Sequence, residues 1–95
     1  MSIKRRIKVA VAAGALVAAT ATPAFAVVQN IGGGIWDHGA GTANVWSDYY
    51  HKDKCHGSTS VGKTIQSDEA AKGTWSMTQV QAKLSGNQTY YRTTC

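Results

Sequence analysis

The chain of 95 residues has no long apolar run after its first 26 residues. A basic start, "MSIKRRIK", precedes the apolar run "VAVAAGALVAATA", which is shorter than the ~20 residues that span a bilayer. Ala24 and Ala26 then form the A-x-A pattern that signal peptidase reads. We therefore predict a cleaved Sec-type signal peptide over residues 1–26 and a soluble, secreted, extracellular domain of 69 residues over 27–95.

An excess of positive charge is also missing beyond that segment. The net charge is +5, but four of the ten basic residues lie in the predicted signal peptide: Lys4, Arg5, Arg6 and Lys8. The remaining six basic residues nearly balance the five acidic ones. Such a balance gives little support for nucleic-acid binding or for a cationic membrane-lytic peptide. No nucleic-acid partner is predicted.

Cysteine is limited to Cys55 and Cys95, both in the predicted secreted domain. A domain of this size buries a marginal core, and small secreted domains often add a covalent link. Two cysteines in an oxidising compartment usually pair, so we predict a disulfide within the chain. A free thiol and a bridge between chains are the alternatives. Closing a loop of about 40 positions would stabilise the fold by roughly 3–4 kcal/mol.

Strand signals dominate the predicted domain. "NVWSDYYH" and "TWSMTQVQAKL" alternate with a period of two, which places Val45, Ser47, Tyr49 and His51 on one face of the first strand. "QTYYRTTC" consists largely of strong β formers. We predict an all-β antiparallel fold, a small β-sandwich of two short sheets, with a barrel as the alternative.

Two further segments and the aromatic residues complete the predicted fold. "CHGSTSVGKTIQ" is predicted to return from "NVWSDYYH" as its hairpin partner, across the polar turn "KDK". "SDEAAKG" is helix-like but too short to be more than a turn or loop. Most of the three tryptophans are expected in the core. One tyrosine of each neighbouring pair should face outward, because adjacent residues of a strand point to opposite faces.

Catalytic and metal-binding patterns are weak. His51, Cys55 and His56 are ligand types for zinc, and His38 is a further candidate. The H-x3-C-H spacing is unusual for a zinc site, however, and the cysteine is expected in a disulfide. Asp37 beside His38 and the Ser/Thr run offer residue types of a hydrolase, but no nucleophile elbow is present. We predict no enzyme, no metal site and no cofactor.

Lysines and hydroxyl residues instead indicate recognition of an anion. Lys52, Lys54, His56 and Lys63 lie within twelve positions, beside the run "GSTS". Ammonium groups, hydroxyls and glycine-exposed backbone N–H groups at a hairpin tip suit a phosphate or pyrophosphate. Asp53 weakens the positive field there. A solvated hairpin tip without a ligand is the alternative.

Three stretches resemble the lactococcin 972 family of bacteriocins: "GGGIWDHG", "VWSDYYHKDKCHGSTSVG" and "GTWSMTQVQAKLSGNQTYY". The resemblance implies an unmodified polypeptide secreted by a Gram-positive bacterium, with a β-sandwich of two small antiparallel sheets. It also implies growth inhibition of related bacteria through the cell-wall precursor lipid II and blocked septum formation, without pores. Cys55 and Cys95 depart from the family pattern, because members without cysteines are otherwise similar.

From the residues and the resemblance together, we expect a bacteriocin-like protein that binds lipid II or another cell-wall precursor. The expected contacts are Trp46, Tyr49, Lys52, Lys54, His56 and Lys63. An immunity membrane protein or an ABC transporter of the producer is an expected partner, and an exposed edge strand is compatible with a homodimer. A non-toxic secreted structural or interaction module of the cell envelope is the alternative.

Overall fold

The computed structural model describes residues 25–95, which form seven strands in two antiparallel sheets. The four-stranded sheet has the order β1-β2-β3-β6 and the three-stranded sheet the order β5-β4-β7. The strands are β1 Phe25–Ile31, β2 Gly34–Ala40, β3 Asn44–His51, β4 His56–Val61, β5 Ile65–Ala70, β6 Thr74–Gln81 and β7 Gln88–Arg92. The predicted all-β sandwich is confirmed. The predicted signal peptide lies outside the described residues, except for its last two, which begin β1.

The predicted alternation of the strands is confirmed in β3 and β6. Val45, Ser47, Tyr49 and His51 are all buried against the other sheet. In β6 the even-numbered positions from Ser76 onward are buried and the odd-numbered positions are exposed. The tyrosine pairs split as expected, with Tyr49 and Tyr91 turned inward and Tyr50 and Tyr90 turned outward.

Hydroxyl groups fill much of the space between the sheets. The apolar cluster is small and lies at one end of the sandwich: Ala40, Val45, Val80 and Ala82. Elsewhere Ser58 Oγ and Ser76 Oγ lie 2.9 Å apart, and Ser60 Oγ lies 2.7 Å from Thr78 Oγ1. Each of these hydroxyls needs a partner because a buried polar group without one is costly. Hydrogen bonds across the interior therefore supplement a modest apolar core.

The predicted hairpin of β3 and β4 is wrong. β3 pairs with β2 and β6, whereas β4 pairs with β5 and β7. Residues 52–55 therefore pass from one sheet to the other instead of turning within one. The predicted return strand also ends early, at Val61, and the chain turns at 62–64 into β5. Alternation identifies which face of a strand is buried, but it does not identify the strand beside it.

The segment predicted as a turn or loop, "SDEAAKG", lies largely in β5, an exposed edge strand. Its place is fixed by tertiary contacts that override local preference. Asp68 Oδ2 accepts a hydrogen bond of 3.2 Å from Met77 N, and Gln66 Oε1 accepts one of 2.8 Å from Gln79 N. These side chains satisfy backbone donors at the outer edge of β6, which makes that edge less available to another strand.

The expectation that most tryptophans form the core is also wrong. Trp36 faces inward, where its Nε1 donates to Ser47 Oγ at 2.9 Å. Trp46 and Trp75 lie instead on the outer face of the four-stranded sheet, and Trp75 is 41% exposed. Five inward positions of β3, β4 and β6 hold small hydroxyl residues: Ser47, Ser58, Ser60, Ser76 and Thr78. Their hydrogen bonds across the interior hold the sheets close and leave little room for further indole rings.

A substitution at Gly62 should show how closely the sheets approach. A Cβ there would lie 2.2 Å from the carbonyl oxygen of Gln81. This oxygen belongs to the backbone, so it cannot easily move away. We expect Gly62→Ala to lower the free energy of unfolding by roughly 1–3 kcal/mol, as overpacking does. Gly41→Ala is the matched control, because its nearest such atom is 4.0 Å away. Urea unfolding measures both, and equal stability of the two variants would contradict this packing.

Candidate functional site

The six residues expected to bind a ligand do not form one cluster. Lys52 and Lys54 are exposed in the connection between the sheets, and Trp46 lies half-buried on an outer face. Tyr49 and His56 are fully buried between the sheets. Lys63 lies at the other end of β4, where its backbone N–H donates to Gln81 O. A strand of this length spans roughly 20 Å, so Lys63 is remote from the other two lysines.

Tyr49 and His56 make hydrogen bonds inside the fold. The hydroxyl of Tyr49 donates to Ile31 O at 2.7 Å. Burial raises the pKa of this phenol above its usual value, and neighbouring Tyr91 raises it further, against the effect of a hydrogen bond from the Gly34 backbone. The ring nitrogens of His56 lie 2.7 Å from Lys54 O and 2.8 Å from Thr74 O. Neither side chain is exposed at the surface of the described residues.

Two buried histidines hold the connection that carries the lysines. His51 Nδ1 accepts hydrogen bonds from the backbone N–H groups of Asp53 and Lys54, each at 3.1 Å. This assignment leaves the proton on Nε2, which faces Gly32 O at 3.2 Å. His56 contacts the carbonyl of Lys54 from the other side. The backbone of Lys54 is therefore fixed at both its donor and its acceptor.

An open groove of about 400 Å³ lies beside this connection. Its lining comprises the end of β1, the β1–β2 turn, the start of β2, one residue of β3 and one residue of the connection that follows it: Asn30, Ile31, Gly32, Gly33, Gly34, Ile35, Tyr50 and Lys52. Gly32 and Gly33 adopt φ values of +65° and +86°, which side-chain-bearing residues rarely adopt. The turn is thus narrow, and the groove combines a glycine backbone, a phenol and an ammonium group.

A third lysine, which the sequence did not single out, lies at the same end of the sandwich. Gly73 N donates to His51 O at 2.8 Å, which brings the segment carrying Lys72 beside the segment carrying Lys52. Lys52, Lys54 and Lys72 are all exposed. Long-range pairing of β3 with β6 brings these lysines together, so the local pattern "AKG" does not reveal the grouping. The result is a lysine end, defined here by these three residues.

The predicted disulfide joins Cys55 and Cys95, whose Cα atoms are 5.8 Å apart. It attaches the segment that follows β7 to the lysine-bearing connection. Cys95 Sγ also lies 3.7 Å from His56 O, against the start of β4. Within residues 25–95 no group of three His, Cys, Asp or Glu side chains is arranged to hold a metal ion. In the same part of the chain no helix is long and apolar enough to cross a membrane.

Fold and surface together define a small disulfide-bonded β-sandwich with an exposed groove and a lysine end. The family model Lactococcin_972, described as "Bacteriocin (Lactococcin_972)", matches residues 32–91. The chain belongs to this bacteriocin family, as the resemblance of its three stretches indicated. No curated protein and no solved structure matches the chain.

The buried His38 predicts a loss of stability in acid. Burial lowers its pKa to about 4, while Asp37 opposes the shift, and its ring contacts Thr89 Oγ1 and Gln29 Oε1 at 3.0 and 2.9 Å. Because the folded pKa lies below the unfolded value of about 6.5, the stabilisation is complete above pH 6.5 and is lost as the pH falls through 4. The full loss is about 3 kcal/mol.

Urea unfolding of wild type and His38→Gln at pH 7.5 and pH 4.5 measures this contribution. Wild type should lose about 2–3 kcal/mol more than the variant between the two pH values. Glutamine keeps a donor and an acceptor but does not titrate, so carboxylate effects cancel in the comparison. An equal loss in both proteins would show that His38 is not the group responsible.

Removal of the disulfide should also lower the stability of the fold. We expect Cys55→Ser/Cys95→Ser to lower the free energy of unfolding by about 3–4 kcal/mol, because the unfolded chain is released from its loop. Reducing agent should lower the midpoint of wild type toward that of the double variant and leave the variant unchanged. Denaturant unfolding with and without reductant provides the measurement. A wild-type midpoint that ignores complete reduction would contradict this role.

Proposed function

We propose that the protein is a secreted bacteriocin that acts on the envelope of related Gram-positive bacteria by binding lipid II and blocking cell-wall synthesis. The observation that carries the proposal is the match of the bacteriocin family model to residues 32–91. The proposed action is non-covalent. It depends on recognition of a group on the envelope of the target cell rather than on insertion of an amphipathic helix. Residues 25–95 form strands and turns without a helix.

The lysine end is the proposed site for the pyrophosphate of lipid II. Lys52 and Lys54 are exposed on a connection whose backbone is fixed by His51 and His56. A fixed backbone reduces the entropy that binding must remove, and ammonium groups form strong hydrogen bonds with phosphate oxygens. The adjoining groove offers further contacts through Lys52 and the glycine turn. Asp53, between the two lysines, favours a ligand that engages them from either side rather than a broad anionic surface.

Growth inhibition provides the first test. The protein, expressed with its signal segment and recovered oxidised from the medium, is spotted on lawns of related Gram-positive strains with and without added lipid II. A clear zone that lipid II abolishes supports both the class and the target. A zone that lipid II leaves unchanged removes the target, and no zone on any strain favours the non-toxic envelope module.

Paired lysine variants test the site. Lys52→Ala/Lys54→Ala should weaken lipid II binding and raise the inhibitory concentration at least about tenfold, because two charge-assisted hydrogen bonds are lost. Lys63→Ala/Lys83→Ala is the matched control, since it removes the same charge from residues flanking the opposite end of β6. Binding to lipid II in detergent micelles gives the affinities. Equal weakening by both pairs would indicate a net-charge effect and would reject the lysine end.

A further inference from the structure

The outer face of the four-stranded sheet is arranged as rows that cross the strands. Strand pairing places Asn30, Ile35, Tyr50 and Trp75 side by side, one from each strand. The next row comprises Val28, Asp37, Asp48 and Met77, and the third includes Gly39, Trp46 and Gln79. The three-stranded sheet covers the opposite face.

The first row is an aromatic platform, defined here by Tyr50 and Trp75. Their ring centroids lie 5.5 Å apart at an interplanar angle of 44°. Trp75 is 41% exposed, and Ile35, which lies beside Tyr50 on the side away from Trp75, is 38% exposed. Ile35 and Tyr50 also line the groove with Lys52. The platform therefore continues from the proposed pyrophosphate site onto the sheet, and Lys52 lies about 7 Å along the chain from Tyr50.

Polar groups alternate with the aromatic rings along this face. In the second row Asp37 is half-buried and accepts a hydrogen bond of 3.1 Å from Trp46 Nε1, while Asp48 is mostly covered. The two ends of this row, Val28 and Met77, are exposed and apolar. In the third row the indole of Trp46 lies on Gly39, where a Cβ would approach its Cζ2 to 2.6 Å. A glycine at this position lets the indole lie against the sheet. Rings thus stand on both sides of a carboxylate.

This alternation selects among partners. Asp37 is the partly exposed carboxylate of the second row; it disfavours an anionic lipid or a nucleic acid at this face and is costly to bury in an apolar bilayer. Two-fold pairing about an axis through the second row would bring the Asp37 carboxylates of two copies toward each other. A pyranose sugar suits both components, since its C–H surface can lie on an aromatic ring while its hydroxyls donate to a carboxylate.

We propose that the outer face of the four-stranded sheet binds an oligosaccharide, with one pyranose ring on the Tyr50–Trp75 platform and a hydroxyl donated to Asp37. The inference rests on the proposed function in one respect: the sugars of lipid II adjoin its pyrophosphate, as the platform adjoins Lys52. It names the aromatic face as the element that recognises the glycan part of the target.

The test uses two soluble probes with the full, oxidised protein: a β-1,4-linked N-acetylglucosamine tetramer and inorganic pyrophosphate. In nitrogen-15 NMR spectra the tetramer should shift the indole N–H signals of Trp75 and Trp46. The Trp36 signal should remain in place, since that indole is bonded inside the sandwich. This readout needs no variant. Shifts confined to Trp36, or no shift at millimolar tetramer, would overturn the proposal.

Variants then separate the sugar face from the lysine end. Trp75→Ala should weaken tetramer binding at least about fivefold, as loss of one ring contact does, and leave pyrophosphate binding unchanged. Tyr90→Ala is the control, because Tyr90 is 49% exposed on the outer face of the other sheet. Equal weakening by both variants would overturn the proposal, as would a loss of self-association in Trp75→Ala without any tetramer binding.

The two proposals can fail separately. Failure of the tetramer to bind, together with lipid II abolishing growth inhibition, rejects the sugar face and retains the target. Tetramer binding that depends on Trp75, with growth inhibition indifferent to lipid II, retains the sugar face and rejects the target.

Discussion

Hydrogen bonds between hydroxyl groups of the two sheets are the constraint on which the rest of the molecule depends. Ser58 meets Ser76, and Ser60 meets Thr78, across an interior with few large aliphatic side chains. Apolar contacts tolerate sliding, whereas a hydroxyl pair is satisfied over a narrow range of distance and angle. A shift of one sheet would leave several buried hydroxyls without partners, at about 1–3 kcal/mol each. A small number of hydroxyl pairs therefore fixes the position of one sheet relative to the other.

Two buried histidines link this interior to the exposed connection between the sheets. His51 ends β3 in the four-stranded sheet, and His56 begins β4 in the three-stranded sheet. Both rings bind the backbone of Lys54, so the connection between the sheets is held from both layers. The disulfide adds a covalent attachment at the residue between Lys54 and His56. Lys52 and Lys54 are therefore carried on a short segment whose backbone has little conformational freedom, although their side chains are flexible.

Local pattern was sufficient to predict β3, β6 and β7, the buried faces of β3 and β6, and the disulfide, because each depends on neighbouring residues or on the only two cysteines. It missed β5, whose residues were predicted as a turn or loop. It was not sufficient for strand order. A period of two is the same whether β4 pairs with β3 or faces it across the interior, so the hairpin and the grouping of Lys63 with Lys52 were wrong. Lys72 was missed for the same reason, since its neighbourhood is created by pairing between His51 and Thr74. Tyr49 and His56 have residue types suited to binding, yet burial assigns them to the interior.

A polar interior also changes the meaning of the aromatic residues outside. A small domain gains most of its stability from burying large apolar side chains, and a tryptophan is the largest available. This chain leaves Trp75, Met77 and Ile35 partly exposed while serines occupy the space between its sheets. An arrangement selected for stability alone would reverse those positions. The disulfide and the hydroxyl pairs compensate for the apolar burial that is forgone, which leaves the aromatic rings available at a surface next to the lysine end. The polar interior and the partly exposed aromatic face therefore result from the same distribution of residues, and the proposed binding function accounts for the second.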